Sequence, residues 1–118
     1  MGLLRDLSNQ GPFYSDEHLR LDFHKHQAEL DGQMLTLTCK EYGVLALLVE
    51  HSGQIVPREA LLRLIWGYGP RIRTRTLDVH IGRLRRKLGT YGVQHIETVC
   101  GIGYRFQPFQ APRFDSQL

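Results

Sequence analysis

The chain has 118 residues, with 15 Lys and Arg against 12 Asp and Glu, a formal charge of +3 and a pI of about 9.1. That length suits one domain with a modest core. No apolar run reaches the ~18 residues of a membrane span, and the acid inside MGLLRDLSNQ breaks any secretory leader, so the expected setting is cytoplasmic with no membrane contact.

Residues 1–17, which mix polar residues with Gly11-Pro12 and Ser15-Asp16-Glu17, read as a linker or tail ending at a turn. From Leu19 the period becomes two. Leu19, Leu21 and Phe23 alternate with Arg20 and Asp22, as in a half-buried strand. Gln27–Leu30 is a second strand, Asp31-Gly32 a hairpin signal, and Gln33–Leu37 a third strand. His24 and His26 lack a third ligand and read as surface histidines. Cys39 and Cys100 have no motif spacing and read as reduced thiols.

Thr38-Cys39-Lys40-Glu41 predicts a capping box. The helix it starts would bury Tyr42, Leu45, Leu48 and Val49 and end at His51-Ser52-Gly53. Ile55-Val56 allows only a short extended link. Pro57 opens a helix over Arg58–Trp66, which Gly67-Tyr68-Gly69-Pro70 ends. Trp66 suits either the core or a phosphate at the rim.

The stretch from Arg71 to Leu88 carries seven of the fifteen basic residues and one acid, Asp78; its balance is +6 and the rest of the chain sums to −3. Thr74 is the expected N-cap of its helix. On a helical wheel Leu77, Ile81, Leu84 and Leu88 form a narrow apolar stripe. Arg75, Val79, Gly82, Arg83 and Arg86 lie opposite, with Arg85 and Lys87 beside them. Small residues at the centre with guanidinium groups around them suit approach to base edges and phosphates in a major groove. A merely solvated face would carry more acids at i±4. Beyond it, Gly89–Gly92 is a turn, Ile96–Val99 a strand and Tyr104–Phe106 its partner across Gly101 and Gly103. No helix follows this GxG, which excludes a phosphate loop. Residues 109–118 read as a flexible tail.

Three strands, three helices and a hairpin, with the basic helix third, predict an α+β winged helix-turn-helix over residues 18–108: an N-terminal antiparallel β-meander, three helices and a C-terminal hairpin wing. RTLDVHIGRLRRKLG followed by IETVCGIGYRF resembles the C-terminal effector domain of OmpR/PhoB-type response regulators, and TCKEYGVLALLVEHSGQIVPREALLRLIWG resembles its first two helices. The resemblance covers roughly residues 19–107. The pattern R-T-x-D-V-H-I-x-R-L-R-x-K-L with G-x-G-Y is specific to that family.

The resemblance implies sequence-specific binding of double-stranded DNA by a transcriptional regulator of a two-component system, as a tandem pair on direct repeats. Val79 and Arg83 would face base edges. Arg75, Thr76, Arg85 and Trp66 match positions that hold phosphates, and Arg86 suits either task. Gly82 would allow close approach. Thr98 and Tyr104 match wing positions at the backbone or groove edge, a core aromatic being the other reading of Tyr104. The loop Gly67–Arg73, with Tyr68, Arg71, Ile72 and Arg73, matches a segment that in relatives contacts RNA polymerase. Cys100 stands where the wing tip often carries a base. The family's receiver domain, whose acidic pocket is not in these residues, would belong to a longer protein, a stand-alone regulator without one being the other reading. A different class is a protein-interaction module that docks on RNA polymerase or another regulator. An enzyme is not expected, because no acid pair, nucleophile–base set or metal cluster is visible, and no cofactor is implied.

Overall fold

The computed structural model describes residues 12–109. The chain opens with a four-stranded antiparallel meander: β1 (Phe13–Ser15), β2 (Leu19–Asp22), β3 (Gln27–Leu30) and β4 (Gln33–Met34), paired in that order. The alternation predicted in β2 holds, with Leu19 and Leu21 buried and Arg20 exposed. β1 lies in the stretch read as linker. Tyr14 pairs with Leu21, and its ring meets Phe106 edge-on at 5.5 Å. Asp16 makes the turn that follows. Its Oδ1 accepts the amides of His18 and Leu19, each at 2.9 Å. A three-residue strand is too short to show a period. What fixes β1 is pairing with β2 and packing at long range.

Helix α1 (Cys39–Glu50) starts on the expected capping box. Thr38 Oγ1 accepts the Glu41 amide at 3.1 Å, and Glu41 Oε1 accepts the Thr38 amide at 3.0 Å. Tyr42, Leu45, Leu48 and Val49 are buried as predicted. Ile55–Pro57 is a strand, β5, rather than a bare link. Val56 is its buried residue, and it pairs with Tyr104. α2 runs over Arg58–Leu61 and continues as a π-helical turn over Leu62–Trp66, ending at Gly67 with φ +74°. α3 (Thr76–Lys87) is the basic helix, and Leu77, Ile81, Leu84 and Leu88 are all in the core. A short helix α4 (Gly92–His95) leads into the wing, β6 (Ile96–Val99) and β7 (Gly103–Phe106). The second sheet therefore has the order β5-β7-β6.

The winged helix-turn-helix is thus an α+β fold in which three helices are held between two small sheets. Each fully buried apolar side chain stabilises it by roughly 1.5–3 kcal/mol. Gly103 is required where β7 pairs with β5, because a Cβ there would lie 2.1 Å from the Val56 carbonyl oxygen. The span read as a tail from residue 109 also begins too early. The Phe109 amide donates to Asp16 Oδ2 at 3.2 Å, and its ring packs edge-on against His18 and Tyr91. Residues 1–11 and 110–118 of the linker and tail readings lie outside the described residues.

Candidate nucleic-acid interface

Three zones run along α3. The apolar stripe fixes its depth in the core. Two margins tie it to neighbouring elements, and the remaining crest faces outward. The crest carries Arg75, Val79, Gly82, Arg83 and Arg86. Val79 is 46% exposed, and the three arginines are exposed. None of the three forms an ion pair with another described residue. A Cβ on Gly82 would meet nothing within 4 Å, so no internal packing demands glycine there.

The wing-side margin is built from Asp78 and Arg85. Arg58 Nη1 donates to Asp78 Oδ1 at 2.5 Å, its Nη2 reaches the Thr74 carbonyl at 3.3 Å, and the Tyr104 hydroxyl donates to Asp78 Oδ1 at 2.6 Å. Burial raises the Asp78 pKa, but the hydrogen bonds from Arg58 and Tyr104 outweigh it and hold the carboxyl below its ordinary 3.8. The Tyr104 phenol is pushed up to about 12, by burial first and then by its bond to Asp78. Arg85 Nε and Nη2 donate to the Ile96 carbonyl at 3.1 and 2.6 Å, and Nη2 also donates to Thr98 Oγ1 at 2.8 Å.

The opposite margin meets α1. Lys87 Nζ donates to Glu41 Oε1 at 2.6 Å and to the Thr36 carbonyl at 2.8 Å. Glu41 is 1% exposed. Burial raises its pKa, but the bonds from Lys87 and the Thr38 amide prevail and keep it ionised below the usual range. His80 Nδ1 donates to the Thr76 carbonyl at 2.9 Å and meets Trp66 edge-on at 4.9 Å between centroids.

Several residues therefore sit differently from the reading by sequence. Tyr104 is 6% exposed with its hydroxyl engaged by Asp78, which matches the core-aromatic reading of that residue. Arg85 is held by the wing, with Thr98 Oγ1 accepting one of its bonds. Trp66 is half-buried against the core. Tyr68 also packs on the core, whereas Arg71, Ile72 and Arg73 are exposed, with Ile72 at 50%. Thr74 caps α3 one residue early. Its Oγ1 accepts the Thr76 amide at 3.1 Å, while Arg75 occupies the N-cap position without a side-chain cap. Thr76 is half-buried at the helix start, its Oγ1 2.9 Å from that of Thr74. Cys100 and Ile102 are exposed at the wing tip. Arg58 was missed altogether; the lone acid in the basic stretch was the signal that could have found it.

Among the described residues no group of three or more His, Cys, Asp or Glu is placed to hold a metal ion, and no helix is long and apolar enough to cross a membrane. What the crest offers is exposed cations around a flat apolar centre, on a helix bonded along both margins and buried along its stripe.

Residues 32–106 match the family described as "Transcriptional regulatory protein, C terminal". The chain is 43% identical over 86 residues to the response regulator protein PmrA of Pseudomonas aeruginosa, covering 73% of this chain and 38% of that protein. The chain thus spans about two-fifths of the length of such curated relatives. Among solved structures it resembles the RstA DNA-binding domain of Klebsiella pneumoniae in complex with RstA box, with a TM-score of 0.75, 34% identity, and 82% of this chain and 98% of that chain covered. DrrB of Thermotoga maritima, an OmpR/PhoB homologue, is similar with a TM-score of 0.76 and 29% identity, over 89% of this chain and 49% of that one.

Proposed function

The chain belongs to the OmpR/PhoB-type family of transcriptional regulatory C-terminal domains, and on that premise we propose that it reads duplex DNA by laying the crest of α3 in the major groove. The observation that carries the reading is the outward row of Arg75, Val79, Gly82, Arg83 and Arg86, whose three cations form no ion pair with another described residue. The likeness to an RstA domain whose structure is a complex with its box supports it. Arg83 is the chief reader, able to form a bidentate bond to guanine, and Val79 contacts a thymine methyl. Arg75 and Arg86 hold phosphates, with Thr76 at the helix start and Trp66 behind it at the rim.

Two copies bind in tandem on direct repeats about one helical turn, ~10 bp, apart. The native protein would place a receiver domain before this one in a two-component pathway, in the cytoplasm. The exposed Arg71-Ile72-Arg73 loop is a second contact surface, for RNA polymerase, separate from the DNA-reading crest.

Selection of bound sites from random duplex DNA, followed by titration against salt, tests the reading. A recurrent half-site in direct repeat is expected, with log K falling against log salt at a slope of about −5 for some six phosphates. A flat salt response with no enriched sequence overturns it. Transcription from a selected promoter separates the loop's role: Ile72→Ala should lower activation while leaving DNA affinity within about twofold.

A further inference from the structure

We propose that Arg85 is a positioning residue that sets the angle of the wing against the recognition helix, and is not a phosphate anchor. The inference rests on the DNA-reading assignment above and adds a division of labour within it. Asp78 and Arg85 are seven residues apart, two helical turns, and so share one margin of α3. Each holds a different part of the wing sheet. Asp78 accepts from the Tyr104 hydroxyl on β7, while Arg85 donates to the Ile96 carbonyl and the Thr98 hydroxyl on β6. The Arg85 guanidinium carbon also lies 5.7 Å from the centre of the Tyr104 ring, which joins the two fastenings.

The geometry requires arginine. Three hydrogen bonds leave one planar group, two of them converging on a single buried carbonyl. A lysine ammonium carries one nitrogen and cannot reproduce that fork. The bonds fall at the base of the hairpin, so a small change there swings the tip at Cys100–Ile102 through a larger arc. Held in place before DNA arrives, the wing loses less conformational freedom on binding. Arg83 and Arg86, on the same helix, have no such engagement with described residues.

The test uses the 118-residue chain with Arg85→Lys, Arg85→Ala and, as a phosphate-type control, Arg86→Ala. Wing motion is read in the DNA-free protein from amide relaxation over residues 99–103. On a selected duplex, hydroxyl-radical footprints and salt titrations are added, with thermal melting to check the fold. Both Arg85 variants should loosen the wing, fade the footprint only at the edge where the wing lies, and weaken binding by roughly three- to tenfold with the salt slope unchanged. Arg86→Ala should instead lower the slope by about one and leave the wing still.

If Arg85→Lys restores affinity and Arg85→Ala lowers the slope by about one, Arg85 is a phosphate anchor and the proposal fails. It also fails if the wing amides are unchanged, or if the whole footprint disappears together with a lower melting point, the mark of a general structural role. Should the wild-type chain show no selective footprint, the DNA-reading assignment falls, and wing motion in the free variants still decides the role of Arg85.

Discussion

On the margins of α3, Asp78, Arg85 and Lys87 are bonded to neighbouring elements; on the crest, Arg75, Arg83 and Arg86 form no ion pair with described residues. Both sets contain arginine, and Arg85 and Arg86 are adjacent in the sequence. What separates them is angle around the helix. Arg85 points at a carbonyl that a strand has brought to it, and Arg83, two residues earlier, points at solvent. A count of cations therefore overstates the charge a helix can offer a polyanion. Local neutralisation by Glu41 and capture by the wing leave a narrower set whose charge is uncommitted, and spacing within that set is what a DNA backbone would meet.

The comparison breaks most severely if the helix loses its seat. Leu84→Ala should cost about 2–5 kcal/mol of stability, because the side chain is fully buried and leaves a cavity; denaturant unfolding measures it, and a loss under 1 kcal/mol would mean that the stripe does not hold the helix. Next comes the crest. Arg83→Ala should weaken binding to the selected site by about 1–3 kcal/mol and relax preference at one base position, with the melting point unchanged. Uniform weakening across operator variants would return Arg83 to the anchoring class.

The margin should answer to stability and pH rather than to sequence preference. Tyr104→Phe removes one donor to Asp78 and should cost about 0.5–1.5 kcal/mol. Asp78 and Glu41 both have folded pKa values below their ordinary 3.8 and 4.5. Each binds protons more weakly folded than unfolded, so its contribution is present above those ordinary values and is lost as pH falls through the folded ones. Denaturation midpoints recorded from pH 6 down to well below 3.8 should decline once the pH passes under 4.5, and less steeply for Glu41→Gln, whose melting point is already lower at pH 6. The smallest effect is expected at Gly82→Ala, which should stabilise the free domain by up to about 1 kcal/mol because nothing crowds the new methyl. If affinity for DNA falls at the same time, close approach at that position is part of the reading surface.

Legibility followed the range of the interaction. The α1 capping box spans four residues and the α3 stripe has a helical period, and both were readable from the chain. β1 and β5 were not, because three-residue strands carry no period and exist only through partners such as Leu21 and Tyr104. The Arg58–Asp78–Tyr104 cluster joins residues 20 and 26 positions apart; the lone acid marks one member, but the order of residues does not say which partners reach it. At the candidate site, the wheel placed Val79, Arg83 and Arg86 on the outside, where the structure has them. It could not show the partners of Arg85, because the sheet that brings the Ile96 carbonyl and Thr98 to it arrives from later in the chain.

The Asp16 carboxylate sets the practical boundaries of any stable fragment. It accepts the Tyr14 hydroxyl at 2.5 Å and the Phe109 amide at 3.2 Å, so it stitches the first strand to the end of the described chain. Close by, the Gln107 carbonyl takes a hydrogen bond from the buried His95 ring at 2.8 Å. A piece cut to residues 18–108 would remove β1, the carboxylate and the Phe109 lid together, and would uncover the aromatic faces of His18 and Tyr91. Cut at 12 and 109 instead, the seam stays closed, and that piece should melt at a higher temperature than the piece cut at 18 and 108.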